Sequence, residues 1–230
     1  MSPEHPTLLF GQWVAGRGDG LRNNHAVYPR RSLKTGCLTS MTKARRATSF
    51  LQTEPRLRRA YFDCRYGQLH MRYAIPAGGG FDEATTLLCI PGNPGSGRFF
   101  APLLQPLGRD RSVYAPDLPG YGESDGGAEP LGTAAMAEAL GDFLDSMHVR
   151  HVDLLAHEGG VAIAAALLQQ RPAQVGRVVL SPDTEAVRAE ARALRHATLV
   201  IDLRSVDERA HGGPELERQA AQLREFLGLA

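Results

Sequence analysis

Tryptophan, cysteine and long apolar runs are all scarce in this 230-residue chain. There is one Trp, and the three Cys stand far apart at positions 37, 64 and 89. Their odd number and wide spacing argue against a disulfide framework and offer no metal-ligand pattern. No apolar run approaches the roughly 20 residues that span a bilayer. The stretch from Thr7 to Gly16 is too short for a signal core, and acidic Glu4 precedes it instead of a basic segment. These absences point to a reducing, cytoplasmic setting, with no membrane partner and no metal, nucleotide or flavin cofactor.

Charge of one sign is also missing overall, at a net +1, but it is unevenly spread. Residues 1–60 carry 11 Lys/Arg against 3 Asp/Glu, and the remainder carries 15 against 22. Residues 1–55 have little hydrophobic period and many Gly, Arg, Asn and Ser. They read as a disordered basic leader and not as a nucleic-acid-binding face, because no helical or strand period organises the charge. Met41 opens a segment that reads as a second start, which would make residues 1–40 an upstream extension.

From residue 56 onward the pattern is that of a folded domain. Leu57–Ile75 reads as a hairpin turning at Tyr66-Gly67, with Leu69, Met71, Tyr73 and Ile75 alternating along its second arm. Thr85–Ile90 is a short continuous apolar run, the mark of a buried strand. It ends in Pro91-Gly92-Asn93-Pro94-Gly95-Ser96-Gly97, with a short helix expected over Phe99–Leu107. Ser112–Leu118 is a second buried strand. Met136, Leu140, Phe143, Leu144 and Met147 form a helical stripe. Val152–Ala156 reads as a strand, Gly160–Gln170 as a helix, Gly176–Ser181 as a strand, Glu185–Leu194 as a helix and Ala197–Leu203 as a strand. A last helix carries Leu216, Ala220, Leu223 and Phe226. Strands alternating with helices predict an α/β fold with a mostly parallel sheet covered on both faces. Ligands on such sheets bind beyond the carboxyl ends of the strands.

The ordered series of hairpin, strand–PGNPGSG–helix, APDLPGYGESD and strand–AHEGG–helix, from Arg59 to Leu180, resembles the alpha/beta-hydrolase fold family. Its esterase, epoxide hydrolase and haloalkane dehalogenase relatives are the most similar. The resemblance implies a nucleophile elbow, a strained strand-to-helix turn of the form G-x-nucleophile-x-G. Ala156 and Gly160 stand for its glycines, His157 for a histidine often found there, and Glu158 occupies the nucleophile position. It also implies that the backbone N–H groups of Asn93 and Gly159 form an oxyanion hole, each donor being worth about 10²–10³ in rate. Asp207 matches the catalytic acid and His211 the catalytic histidine, with Asp183 a second candidate acid. Only three residues separate Asp207 from His211, where the family places a further helix and strand, and the lid segment after Ser181 is missing.

A literal G-x-S-x-G occurs at Gly122–Gly126, but the sequence after it cannot start a helix directly, so Ser124 is not expected to be the nucleophile. The segment Gly92–Phe99 nearly spells a phosphate loop, yet Arg98 and Phe99 stand where Lys and Ser/Thr are required.

Serine-type acyl transfer is impossible with glutamate at the elbow. A carboxylate there is the arrangement of the epoxide hydrolase and haloalkane dehalogenase relatives, which use Asp. Glu158 adds one methylene to that arm. Three readings follow. One is hydrolysis of a small ester, epoxide or halide through the Glu158 carboxylate. The second is a catalytically inactive member that binds a ligand or protein partner. The third is an enzyme of the same fold that uses another residue as acid or base. An uncovered late sheet edge further predicts a homodimer.

Overall fold

The computed structural model describes residues 54–78, 85–92, 95–127, 129–182, 184–185, 188–189, 198–203 and 213–228. Asn93, Asp183, Asp207 and His211 lie outside them, as do residues 1–53 of the expected leader and most of the helix expected over Glu185–Leu194. Glu54 and Pro55 are tied to the folded domain. Glu54 pairs with Arg109 at 3.1 Å, and the Pro55 carbonyl accepts from Gln105 Nε2 at 3.0 Å.

The chain from Arg56 builds one seven-stranded sheet: β1 (Arg56–Cys64), β2 (Gly67–Ile75), β3 (Thr86–Ile90), β4 (Val113–Pro116), β5 (Val152–His157), β6 (Val175–Ser181) and β7 (Thr198–Val200). Their spatial order is β1-β2-β4-β3-β5-β6-β7. The first three are joined antiparallel and the rest are parallel. The helices are α1 (Ala101–Leu107), preceded by a 3₁₀ turn (Gly97–Phe100), α2 (Thr133–Ser146), α3 (Gly160–Gln170) and α4 (Pro214–Phe226).

Two apolar layers sandwich the sheet. On one side α2 and α3 pack Leu140, Phe143, Leu144, Ile163 and Leu167 against Leu88, Ile90, Leu154 and Val178. On the other, α1 and α4 pack Leu103, Leu104, Leu216 and Leu223 against Leu87, Cys89, Leu155 and Val179. Each such side chain contributes roughly 1.5–3 kcal/mol by leaving water. Burial also pushes the Cys89 thiol far up, leaving it an inert hydrophobe.

β2 departs from the alternation read in its sequence. Leu69 and Met71 are buried as expected, but His70 and Arg72 on the opposite face are buried too. The strand lies inside the sheet, and the loop after β4 closes over its second face. β7 is also shorter than the seven-residue strand expected, and it is only half-buried.

At the far end of the sheet from the strand tips, Arg111 and Asp153 form a buried ion pair at 2.7 Å. Arg111 Nη2 also donates to the Leu227 carbonyl at 2.9 Å, which ties the end of α4 to the sheet.

Candidate functional site

β5 is buried along its whole length, so its end is presented by a rigid central strand. The chain then turns through Glu158 and Gly159 into α3. Glu158 has φ +48°, the left-handed region that L side chains avoid. The turn is held from several sides. The Glu158 N–H donates to the Ser181 carbonyl at 2.8 Å, and the Glu158 carbonyl accepts from Val161 N–H at 3.0 Å. Gly160 explains why a small residue follows: a Cβ there would lie 2.5 Å from the carbonyl oxygens of both Ile90 and Pro91. The first turn of α3 therefore rests directly on the end of β3. The N–H of Gly159 precedes that turn and belongs to the amides that a helix start leaves without an intrahelical carbonyl.

The Glu158 side chain is 47% exposed. Its carboxylate faces the loop after β3. An ideal Cβ on Gly92 would stand 2.9 Å from Oε2 and 3.1 Å from the Glu158 Cβ, so any larger residue there would have to displace the Glu158 side chain. Glu158, His157, Pro91, Gly92, Arg98 and Phe99 are among the residues lining an open pocket of about 300 Å³. His157 is buried beside Glu158, its Nε2 3.3 Å from Oε1. Its ring stacks on Phe99, with centroids 4.1 Å apart and planes 7° from parallel. Its Nδ1 lies 3.2 Å from the Ser181 hydroxyl. Sequence reading gave Ser181 no role. The available signal was a hydroxyl ending the buried apolar run Val178–Leu180.

The loop after β4 is stitched to both β2 and the pocket by one carboxylate. Asp117 Oδ1 accepts the Gly97 N–H at 2.8 Å. Its Oδ2 accepts the Glu123 N–H and the His70 Nδ1–H, both at 2.9 Å. Ser124 serves this loop: its hydroxyl donates to the Asp117 carbonyl at 2.6 Å and accepts the His70 N–H at 2.9 Å. A serine engaged in both directions by backbone is a structural peg, in keeping with its exclusion as nucleophile.

Of the residues singled out from sequence, the structure thus brings Glu158 and Gly159 together at the tip of β5 against the loop after β3. Strand order, the strand-to-helix turn after β5 and the helix layers define a doubly covered α/β sheet protein, with an open pocket at the carboxyl end of β5. The sequence matches the profile of the alpha/beta hydrolase fold over residues 85–223, more than half of the chain. The chain belongs to that family.

Individual relatives match over shorter stretches. A protein named as a carbamate hydrolase, RutD, from Yersinia enterocolitica is 37% identical over 98 residues, covering 42% of this chain and 35% of that protein. A haloalkane dehalogenase of Mesorhizobium japonicum is 37% identical over 93 residues, covering 39% of this chain and 29% of that one. The matched segments thus span about a third of the length of these relatives. Among solved structures, epoxide hydrolase VrEH1 from Vigna radiata superimposes with a TM-score of 0.48 at 20% identity, over 60% of this chain and 46% of that one. No helix among the described residues is long and apolar enough to cross a membrane.

Proposed function

We propose that this chain is a hydrolase in which the Glu158 carboxylate, at the nucleophile elbow, acts on a small ester, epoxide or organic halide. The observation that supports the reading is the backbone of Glu158 itself. A left-handed glutamate costs about 1–3 kcal/mol, and such strain is kept where the surrounding structure imposes it, commonly at active sites. Here it lifts a half-exposed carboxylate over the strand tip into a pocket.

With a halide, a Glu158 oxygen attacks the carbon bearing the halogen. A C–O ester bond forms, the C–X bond breaks, and halide leaves with the electron pair. Water then attacks the ester carbonyl, giving its proton to a base, and the alcohol departs as the carboxylate is restored. With an epoxide the same attack opens the ring. With an ester, Glu158 acts as general base toward water. His211 is proposed as the base for the water step, Asp207 as its partner, and the N–H groups of Asn93 and Gly159 as donors to the developing oxyanion.

The second reading is a family member without turnover that binds a ligand or protein partner in the same pocket. The absence of a hydroxyl or thiol at the elbow favours it. Purified protein and Glu158→Gln, assayed against p-nitrophenyl esters, epoxides and haloalkanes, separate the two. Turnover lost in Glu158→Gln, with a covalent adduct on Glu158 by mass spectrometry for an epoxide or halide, is expected. Turnover that survives the substitution overturns the carboxylate role, and inactivity of the parent protein favours the binding reading.

A further inference from the structure

A glutamate at an elbow carries one more rotatable bond than an aspartate, so something must hold its carboxylate still. Three groups lead to it in sequence. The Leu203 N–H, just past β7, donates to Ser181 Oγ at 3.0 Å. Ser181 Oγ lies 3.2 Å from His157 Nδ1, and His157 Nε2 lies 3.3 Å from Glu158 Oε1. Ser181 and His157 are buried. They meet because the β5–β6 ladder pairs them in register.

The partners of Ser181 favour one arrangement of the protons. One lone pair of Ser181 Oγ is taken by the Leu203 N–H, and its own hydrogen needs an acceptor, which Nδ1 supplies. With Nδ1 accepting, a neutral ring would carry its proton on Nε2, the nitrogen that lies 3.3 Å from Glu158 Oε1. The opposite tautomer would set the Nε2 lone pair against a carboxylate oxygen. Stacking on Phe99 fixes the plane of the ring, and with it the direction of the Nε2–H bond.

We propose that His157 is a positioning residue. Held in its Nε2–H tautomer by Ser181, it anchors Glu158 Oε1 and thereby reserves Oε2, the oxygen facing Gly92, for substrate. This rests on the reading of Glu158 as the reacting carboxylate. The clamp removes the freedom added by the extra methylene, and it couples the elbow to the exit of β7 through Ser181. Misplacing a reacting group by about 1 Å costs on the order of 10²-fold in rate, which sets the size of the expected effect.

The test has one arm that needs no activity. In the full chain with ¹⁵N-labelled histidine, near pH 8, long-range ¹H–¹⁵N spectra should show His157 protonated on Nε2 and bare on Nδ1. Glu158→Ala should shift the Nε2 resonance, and Ser181→Ala should mix the tautomers. An Nδ1–H ring, a doubly protonated ring at that pH, or a resonance indifferent to Glu158→Ala overturns the clamp, whether or not the protein turns over any substrate.

The second arm uses a substrate found for the parent protein. His157→Phe keeps an aromatic ring against Phe99 and removes the donor. It should lower kcat about 10²-fold with KM changed less than threefold. His157→Gln restores a donor and should recover most of the loss. Equal kcat in all three proteins, or a loss that Gln does not rescue while both variants melt like the parent, refutes a positioning role. Should no substrate turn over, the hydrolase reading fails, and the spectra alone decide the clamp.

Discussion

Replacing Glu158 with glycine and with alanine measures the strain at the elbow directly, without any substrate. At φ +48° an L residue is disfavoured by roughly 1–2 kcal/mol relative to glycine. Glycine offsets part of that gain, because its unfolded chain is freer by about 0.4–1 kcal/mol. Both substitutions also lose the Glu158–His157 contact. For a half-exposed carboxylate that is worth about 0.2–1 kcal/mol. Glu158→Gly should therefore be close to neutral, whereas Glu158→Ala keeps the strain and loses the contact.

Glycine should then exceed alanine by about 0.5–1 kcal/mol, or roughly 1–4 °C in Tm for a domain of this size. Urea unfolding followed by circular dichroism, with a calorimetric scan, measures both. The control is Gln222, exposed in the middle of α4, where alanine should exceed glycine by about 1 kcal/mol. Alanine more stable than glycine at both positions would refute the strained backbone and remove the main support for the carboxylate as a working group.

Three further outcomes follow. Arg111→Met leaves the Asp153 carboxylate buried without its partner and should cost about 3–5 kcal/mol by urea titration. Gly92→Ala sets a methyl 2.9 Å from Glu158 Oε2, so any turnover should fall about 10²-fold while the melting temperature moves by only a few degrees. The Arg65 guanidinium holds Asp142 below the usual carboxylate range, chiefly by hydrogen bonding to it at 2.9 and 2.8 Å. A carboxyl depressed in the folded state adds stability that is full above its unfolded value, near pH 4, and is lost as acid protonates it. Arg65→Ala should accordingly flatten the acid limb of a stability profile below about pH 4.

What could be read from the sequence was whatever depends on neighbours along the chain. The stripe of Met136, Leu140, Phe143 and Leu144 placed α2, and the apolar run before Ala156 with small residues after Glu158 placed the elbow. What could not be read depends on strands meeting across the sheet. His70 and Arg72 looked like the solvent side of a hairpin arm. They are buried because a loop anchored some fifty residues later covers them. Ser181 looked like the unremarkable end of a strand. It reaches His157 only through the β5–β6 register, 24 residues away in sequence. Asp207 and His211 were named through family order alone, and the spacing between them departs from that order.

Asp117 gives the pocket a keystone outside its walls. One oxygen steadies the amide of Gly97, and the other binds His70 on a neighbouring strand. The loop bordering Glu158 is thus braced from behind, by groups no substrate would touch. If the proposed activity holds, reshaping its substrate range should therefore work best at a side chain that lines the cavity without carrying the brace or stacking on His157, such as Arg98. Changes at His70 or Asp117 would instead loosen the frame in which any substrate preference has to be built.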